Sequence, residues 1–491
     1  MFRWTKRETN VKNQFAKSED YKKVQYKNKI TKKTFTLTFI TTVTDEQILR
    51  DNILPYLQEK EWTNIEDVKS ILPIEDIQLT DEVSEMEKKL LNGFVMLTME
   101  KEKLPYCFIS ARKENVRNIT VPEVEFSVIG PKEAFVESLN QNLNMIRKRL
   151  QIKELVVEQL EVGNLSKTNM ALLYVDGITN EADVETMRQR IKSIEVDHIA
   201  DSSYIVQMIS DNQNSPFPQF LDTERPDRVA ATLSEGKVIL LVDGSPHAII
   251  APVTIVEFFS SFEDYFLNWI LASFFRIIRF FAVSFSVLVT PIYVATLTYH
   301  YELIPQDLIG ILVTSRRAIP FPPILEALFL ELTIELLREA GARLPTKVGQ
   351  TIGIVGGIVI GTASVEAGLT SNVLLIFVAL AALASFTTPV YRIGNTIRLL
   401  RFPFLFVADI WGLIGIVLCF AFFLTHLIRL TSLGRPYLEP IYPTRIQDFK
   451  DALIRLPFFK QTKRPFQLRT EQPDRFDQNN THKKAKKDID E

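Results

Sequence analysis

The sequence predicts a chain of two parts: an α/β N-terminal region built from two subdomains, then an α-helical polytopic membrane domain. Three observations predict it. The mean hydropathy of +0.06 averages two unlike halves, charged and mixed up to about Lys237, then dominated by Ile, Leu, Val, Phe and Ala through Leu433. Strand-like and helix-like stretches alternate through the first half, an order that packs helices on sheets. Several stretches of the second half approach the ~20 apolar residues that a membrane-crossing helix needs. At 491 residues the chain also exceeds one ordinary domain.

Residues 1–33 are rich in lysine, including Lys22, Lys23, Lys27 and Lys29, and are expected to be a flexible tail. The sharper alternative is an arm resting on anionic lipid headgroups. Residues 34–125 read as a first α/β subdomain. The alternation over 35–43 predicts a strand that stops at Asp45-Glu46, a helix start. Helical spacing follows over 47–57 and 83–91, with strands expected over 94–99 and 105–110. Residues 126–247 read as a second α/β subdomain. Here strands are expected over 126–129, 171–175 and 238–242, and helices over 134–150 and 183–194. Gly130-Pro131, Asp176-Gly177 and Asp243-Gly244 supply the turns.

Residues 248–432 are expected to be a membrane domain with four or five spans. The first span covers 277–299, led in by an interfacial stretch over 269–280 whose Arg276 and Arg279 face headgroups. Residues 308–313 are too short to cross and suit a re-entrant turn. Residues 324–337 form a helix opened by Pro320-Phe321-Pro322-Pro323 that carries Glu326, Glu331 and Glu335. Better spans cover 352–365, 373–390 and 405–428, with Tyr391 and Trp411 as interface anchors. Residues 433–491 are expected to be a polar C-terminal tail. Five crossings leave that tail outside and four return it inside; the distribution of Arg and Lys favours neither throughout.

Composition also excludes functions. A net charge of -2 argues against nucleic acid as main partner. The two cysteines, Cys107 and Cys419, are expected as free thiols, consistent with a reducing compartment. The N-terminus has no apolar h-region, so the long domain before the first span is expected on the cytoplasmic side. The five histidines are scattered, no metal-ligand spacing occurs, and no Ser, His and Asp converge. The glycines of 353–361 lack the lysine and context of a nucleotide loop. No enzyme activity, metal or cofactor is expected, and Glu123/Glu125 and Glu263/Asp264 read as solvated pairs.

The most informative segment runs over 349–369. On a helix, Gly353, Gly357 and Gly361 share one side, a doubled G-x-x-x-G pattern that lets another helix approach closely in lipid. The opposite side carries Val355, Val359, Thr362 and Glu366. A carboxylate there must face protein, water or the interface. Either Glu366 simply ends the helix among headgroups, or this stripe lines a water-filled path, where an acidic ring would favour cations. Glu331, Glu335 and Glu339 share another helix face. They are expected as the solvated face of an interfacial helix, with a polar gate or subunit contact as the alternative.

Long motifs resemble a known family. They are Ser215-Pro216-Phe217-Pro218-Gln219, Thr223-Glu224-Arg225-Pro226-Asp227, Val242-Asp243-Gly244-Ser245-Pro246, Pro320-Phe321-Pro322-Pro323, Glu335-Leu336-Leu337-Arg338-Glu339-Ala340-Gly341 and Gly349-Gln350-Thr351-Ile352-Gly353. From about Val128 to Pro436 the chain resembles A subunits of GerA-type spore germinant receptors, and a SpoVAF-type sister protein shares the architecture. The family often has Arg before the Gly-Pro of the second subdomain, where Ile129 stands here. The resemblance implies a subunit of the spore inner membrane that works with a transporter-like B subunit and a lipoprotein C subunit. It further implies self-association, as a pentamer, into a channel that releases monovalent cations, with membrane lipids around it and no nucleic acid. Glu224, Arg225, Asp227 and Asp243, close in sequence to the first span, are candidates for coupling the two halves. A non-conducting scaffold that assembles the receptor is the alternative.

Overall fold

The computed structural model describes residues 11–99, 105–113, 122, 125, 127–344, 357, 359–446, 448–452 and 454–475. The first subdomain is a sheet of β1 (Tyr21–Lys27), β2 (Thr34–Ile40), β3 (Ile77–Thr80), β4 (Phe94–Met99) and β5 (Tyr106–Ser110). They join in the order β1-β2-β4-β5-β3, antiparallel throughout. Strand alternation sends Phe35, Leu37, Val95, Leu97 and Ile109 to one core. It sends Ile40, Met96 and Phe108 to the other, under Met86 and Leu90 of α1 (Val83–Leu91). Asp45 caps the next helical turn by accepting from the Gln47 amide at 2.8 Å, as the sequence predicts.

The flexible tail expected over 1–33 is corrected where it is described. Residues 11–15 are helical and bury Val11 and Phe15, and Phe15 stacks on Tyr21 at 5.6 Å. Residues 21–27 form the edge strand β1, paired with β2. Its lysines read as disorder by composition, yet half-buried Tyr21, Val24 and Tyr26 stand among them. Lysine on an exposed edge also discourages pairing with other chains.

The second subdomain is a sheet of β6 (Leu155–Val162), β7 (Thr168–Val175), β8 (Leu221–Thr223), β9 (Val238–Val242) and β10 (Ala248–Ala251), in the order β6-β7-β9-β10-β8. One face packs on α2 (Leu139–Arg149) and the other on α3 (Glu181–Lys192) and α4 (Ser202–Ile209). α5 (Pro226–Glu235) joins α2 through Val229 and Leu233. Helices and sheets are both present, but every described strand pair is antiparallel. The short turns at Gly163 and Gly244, both with positive φ, join β6 to β7 and β9 to β10 too closely for the crossover that a parallel pair needs. No strand forms over the described part of 126–129, where Val128 and Ile129 are exposed. The helix expected from 134 begins at Leu139, because Asp243 Oδ1 accepts from the Leu139 amide at 2.9 Å.

A buried clasp joins the two subdomains. Arg147 Nε and Nη2 donate to the two oxygens of Asp20 at 3.0 and 2.9 Å, and Ser18 and Thr42 donate to the same carboxylate at 2.5 and 2.7 Å. The Glu19 amide reaches the Val157 carbonyl of β6 at 2.9 Å.

The second half is helical: α6 (Trp269–Thr298), α7 (Gln306–Arg316), α8 (Pro323–Arg343), α9 over 359–366, α10 (Asn372–Ser385) and α11 (Tyr391–Arg429). The segment expected to be re-entrant, 308–313, lies within α7, an exposed helix with no buried residue. Two of these helices, α6 and α11, are long and apolar enough to cross a membrane. α11, however, is a hairpin of two arms, which corrects the single span expected over 405–428. Gly412 adopts φ 60°, ψ −142°, a conformation open essentially to glycine. Beyond it the second arm runs back along the first: Phe404 and Phe423 stack at 5.8 Å, and a Cβ on Gly415 would run into the Val407 carbonyl.

α6 leads away from the second sheet, and the remaining contacts give the directions of its neighbours. Tyr293 reaches Ser371 just before α10, and Ser286 and the Ala381 carbonyl share Arg401 of α11. α10 is therefore antiparallel to α6, and the first arm of α11 is parallel to it. The second arm returns to the second sheet. There Leu430, Tyr437 and Leu438 enter the core of that subdomain. The expected polar tail over 433–491 is thus corrected over 433–475. Its apolar anchors, spaced widely among polar residues, do not register as a hydrophobic run. Asp211 holds the returning turn, accepting from Thr431, the Leu433 amide and the Gly434 amide at 2.5, 3.0 and 2.8 Å.

Candidate functional site

Two places combine charge, burial and contact between elements. The first lies inside the helices. Arg401 of α11 is 1% exposed and Glu331 of α8 is 1% exposed. Arg401 Nη1 donates to Glu331 Oε2 at 2.8 Å, while Nη2 serves Ser286 and the Ala381 carbonyl at 2.8 and 2.9 Å. Thr290 donates to Glu331 Oε1 at 3.0 Å. One ionic bond thereby ties α6, α8, α10 and α11. Glu326 pairs with Arg316 at 2.8 Å, and Glu335 with Arg338 and, at 4.0 Å, with Arg398. The solvated glutamate face expected for α8 is corrected at Glu331, which is buried. Glu339 is exposed and pairs with Arg343 at 2.5 Å. Periodicity placed the carboxylates on one face but said nothing of the arginines that approach it from other helices.

The second place is the junction of sheets and helices. The loop Ser215-Pro216-Phe217 touches both arms of α11. Ser215 Oγ lies 2.8 Å from His426 Nε2, and the Pro216 carbonyl accepts from Thr396 Oγ1 at 2.5 Å. Arg392 donates to Asp222 of β8 at 3.0 Å. Arg225, 1% exposed, donates to Ser127 at 2.5 Å, the Pro131 carbonyl at 3.2 Å and Asp227 at 2.7 and 3.1 Å. Its guanidinium carbon lies 5.5 Å from the Phe262 ring and 5.9 Å from the Phe266 ring, on the segment that leads into α6. Arg225 therefore meets the segment that leads into the helical half, and Asp227 holds its guanidinium from within the second subdomain. The Glu224 carboxylate lies 3.9 Å from His247, and Asp243 caps α2.

The reading of Glu263/Asp264 as solvated is corrected. Asp264 is fully buried and accepts from Arg276 at 3.2 Å and from Arg279 at 2.6 and 2.8 Å. Glu263 accepts from the Val128 and Ile129 amides at 3.0 and 3.1 Å, so the backbone at Ile129 makes the contact there. Arg455 of the C-terminal segment donates to the carbonyls of Asp264, Tyr265 and Leu267 at 2.7, 3.1 and 2.8 Å. Ser215, Thr396, His426, Asp264 and Arg401 were not legible as site residues. For Arg401 a signal existed, since an arginine beside an apolar run requires a partner.

Of the predicted stripe, Val355 lies outside the described residues, as does Gly353. Val359, Thr362 and Glu366 are all exposed. A Cβ on Gly361 would touch Leu375 of α10 at 3.7 Å, whereas one on Gly357 would meet nothing within 4 Å. The glycine side thus packs at Gly361, and the opposite stripe is left uncovered by the chain's own described residues. On the sheet side, burial tends to raise the Asp211 carboxyl. Hydrogen bonds from Arg190, Thr431 and the Gly434 amide outweigh it and hold the group below the usual carboxylate range. At Asp183 burial wins over Arg435 and pushes the carboxyl up. Among the described residues no cluster of His, Cys, Asp and Glu suits a metal ion.

The family profile described as Bacillus/Clostridium GerA spore germination protein matches residues 9–467. The chain is 52% identical over 440 residues to spore germination protein GerQA of Bacillus cereus, covering 90% of this chain and 88% of that one. It is 38% identical over 425 residues to spore germination protein A1 of Bacillus subtilis strain 168, covering 87% and 88%. A crystal structure of the N-terminal domain of the A subunit of the Bacillus megaterium germinant receptor GerK3 aligns at 27% identity and a TM-score of 0.37, over 50% of this chain and 92% of that one.

Proposed function

We propose a function from one premise: the chain belongs to the GerA family of spore germination proteins and is a germinant-receptor A subunit. In this reading it is the channel-forming subunit, which releases monovalent cations when the assembled receptor senses its germinant. A transporter-like B subunit and a lipoprotein C subunit complete the receptor, and several copies of this chain, five by the family resemblance, surround the path. The observation that carries the reading is α9. Val359, Thr362 and Glu366 face away from the fold while Gly361 packs against α10, as a pore-facing helix requires in a ring.

Exposed apolar side chains such as Phe281, Ile414 and Phe422 cover the outside of α6 and α11, an area that in water would aggregate. This supports a multi-pass protein of the spore inner membrane. We read six passes: α6, α8, the segment holding α9, α10 and the two arms of α11. An even number returns residues 433–475 to the side of the sheets, which we read as cytoplasmic. A cysteine at exposed Ile446 should share its accessibility with one in the first sheet; opposite accessibility would overturn the six-pass reading.

The function is tested by potassium release from vesicles carrying this chain with its B and C partners. Val359→Ala and Thr362→Ala should change the germinant-triggered rate or open the path constitutively. Release unchanged by both, with assembly intact, would favour a non-conducting scaffold.

A further inference from the structure

We propose that the returning C-terminal segment binds the surface of the bilayer at the foot of α6, with Phe458 and Phe459 inserted among the lipid headgroups on the side of the sheets. The inference deepens the membrane reading above and rests on it.

Arg455 fixes this segment to the start of α6. Its amide donates to Ser273 Oγ at 3.1 Å. Its guanidinium, already bound to the carbonyls of Asp264, Tyr265 and Leu267, has its carbon 4.6 Å from the Phe458 ring. Phe458 and Phe459 follow on a short turn of helix, Phe458–Lys460, so they stand on a held platform. Both point outward all the same, 58% and 54% exposed, and no described residue covers them. With Leu267, Pro457 and Trp269, at the first turn of α6, they border one groove.

The depth of this platform follows from the length of α6. Its 30 residues span about 45 Å at 1.5 Å each, against a hydrocarbon core of about 30 Å. Exposed Tyr299 and Tyr301 follow its far end and mark the interface there. The surplus of about ten residues therefore falls over 269–278, at the sheet end, in the headgroup layer. Trp269, which is exposed, and Ser273, which holds Arg455, both belong to that stretch. The two rings are thus held level with the headgroups. Their apolar surface continues through Trp269 into Ile270, Leu271 and Phe274 of α6, all more than half exposed. A bilayer covers such a face without a break at the point where the helix enters it. Apolar aromatic groups with lysines beside them suit this layer, and exposed Lys460 and Lys463 come next in the chain.

The test uses the full chain in vesicles of phosphatidylglycerol and phosphatidylcholine, with a bimane fluorophore attached at Phe459→Cys; both native cysteines are buried. That label should lose fluorescence to phosphatidylcholine spin-labelled near the carbonyl and keep it against aqueous iodide. A label at Phe281→Cys, farther along α6 and exposed, should be quenched by lipid spin-labelled deep in the acyl chain. Quenching at 459 by iodide and not by lipid, with position 281 quenched by lipid, would overturn the surface anchor alone. A label at 459 shielded from both quenchers would assign the rings to a protein partner and overturn it too. Position 281 open to iodide and untouched by lipid would overturn the membrane reading itself.

Discussion

Arg147 with Asp20 and Arg401 with Glu331 are the same two groups buried to the same degree, one pair between sheets and one among helices. They differ in how completely they are satisfied. Asp20 receives Arg147, Ser18 and Thr42, and all three guanidinium nitrogens of Arg147 donate. Arg401 uses Nη1 and Nη2, while its Nε has no partner among the described residues. Burying an ion pair is stabilising only when its hydrogen bonds are complete. The first pair is therefore a fixed clasp between subdomains. The second ties four helices but leaves one buried donor unsatisfied, so it is the less completely stabilised of the two.

Deleting one partner gives the largest expected effect. Asp20→Ala and Glu331→Ala each strand a buried arginine and should cost about 3–5 kcal/mol, read as a drop in thermal midpoint of the detergent-solubilised chain. The comparison sharpens if Glu331→Ala also alters cation release while Asp20→Ala lowers stability alone. It breaks if both variants change release alike. Next is Gly412→Ala, which forces a side chain into a conformation reserved for glycine and against His300, 2.9 Å from the added Cβ. It should cost about 1–3 kcal/mol, and a hairpin unaffected by it would mean the reversal is not built on that residue.

Smaller effects concern the sheet side. Asp211 is depressed in the fold, so its contribution is present above the ordinary carboxylate pKa of about 3.9 and is lost as pH falls below it. Asp211→Asn should remove on the order of 1 kcal/mol at neutral pH and flatten the acid limb of a stability profile. An unchanged acid limb would detach the returning turn from this carboxylate. The smallest effect is at Cys107, where burial pushes the thiol up to about 12. Its contribution is present below the ordinary thiol pKa of about 8.5 and is lost as pH rises toward the folded value. A maleimide near pH 8 should label it only after unfolding, and prompt native labelling would contradict its burial.

What was legible in the sequence was local. The strand Val238–Val242, the cap at Asp45 and the start of the apolar half follow from neighbours a few residues apart. Edge strand β1 was hidden because lysine content outweighed its three half-buried residues, Tyr21, Val24 and Tyr26, whose spacing is not a strict period of two. The hairpin of α11 was hidden because an apolar run does not reveal its direction, although Gly412 and Gly415 stand at its middle. The partners of Arg401 were hidden because Glu331 and Ser286 come from elements 70 and 115 residues away in the chain. Those of Asp264 are near, Arg276 and Arg279 being 12 and 15 residues on, but the chain reversal that brings them back leaves no periodic signal.

Leu430, Tyr437 and Leu438 complete the core of a sheet whose strands were all made before the first residue of α6. In order of synthesis the helical half is thus an insertion between a subdomain and its own last piece. That subdomain closes only after every helix has been threaded and the chain has come back. A ribosome-bound chain halted before residue 430 would carry both sheets with an apolar surface uncovered, and chaperone contact at that surface would end when the returning segment seals it.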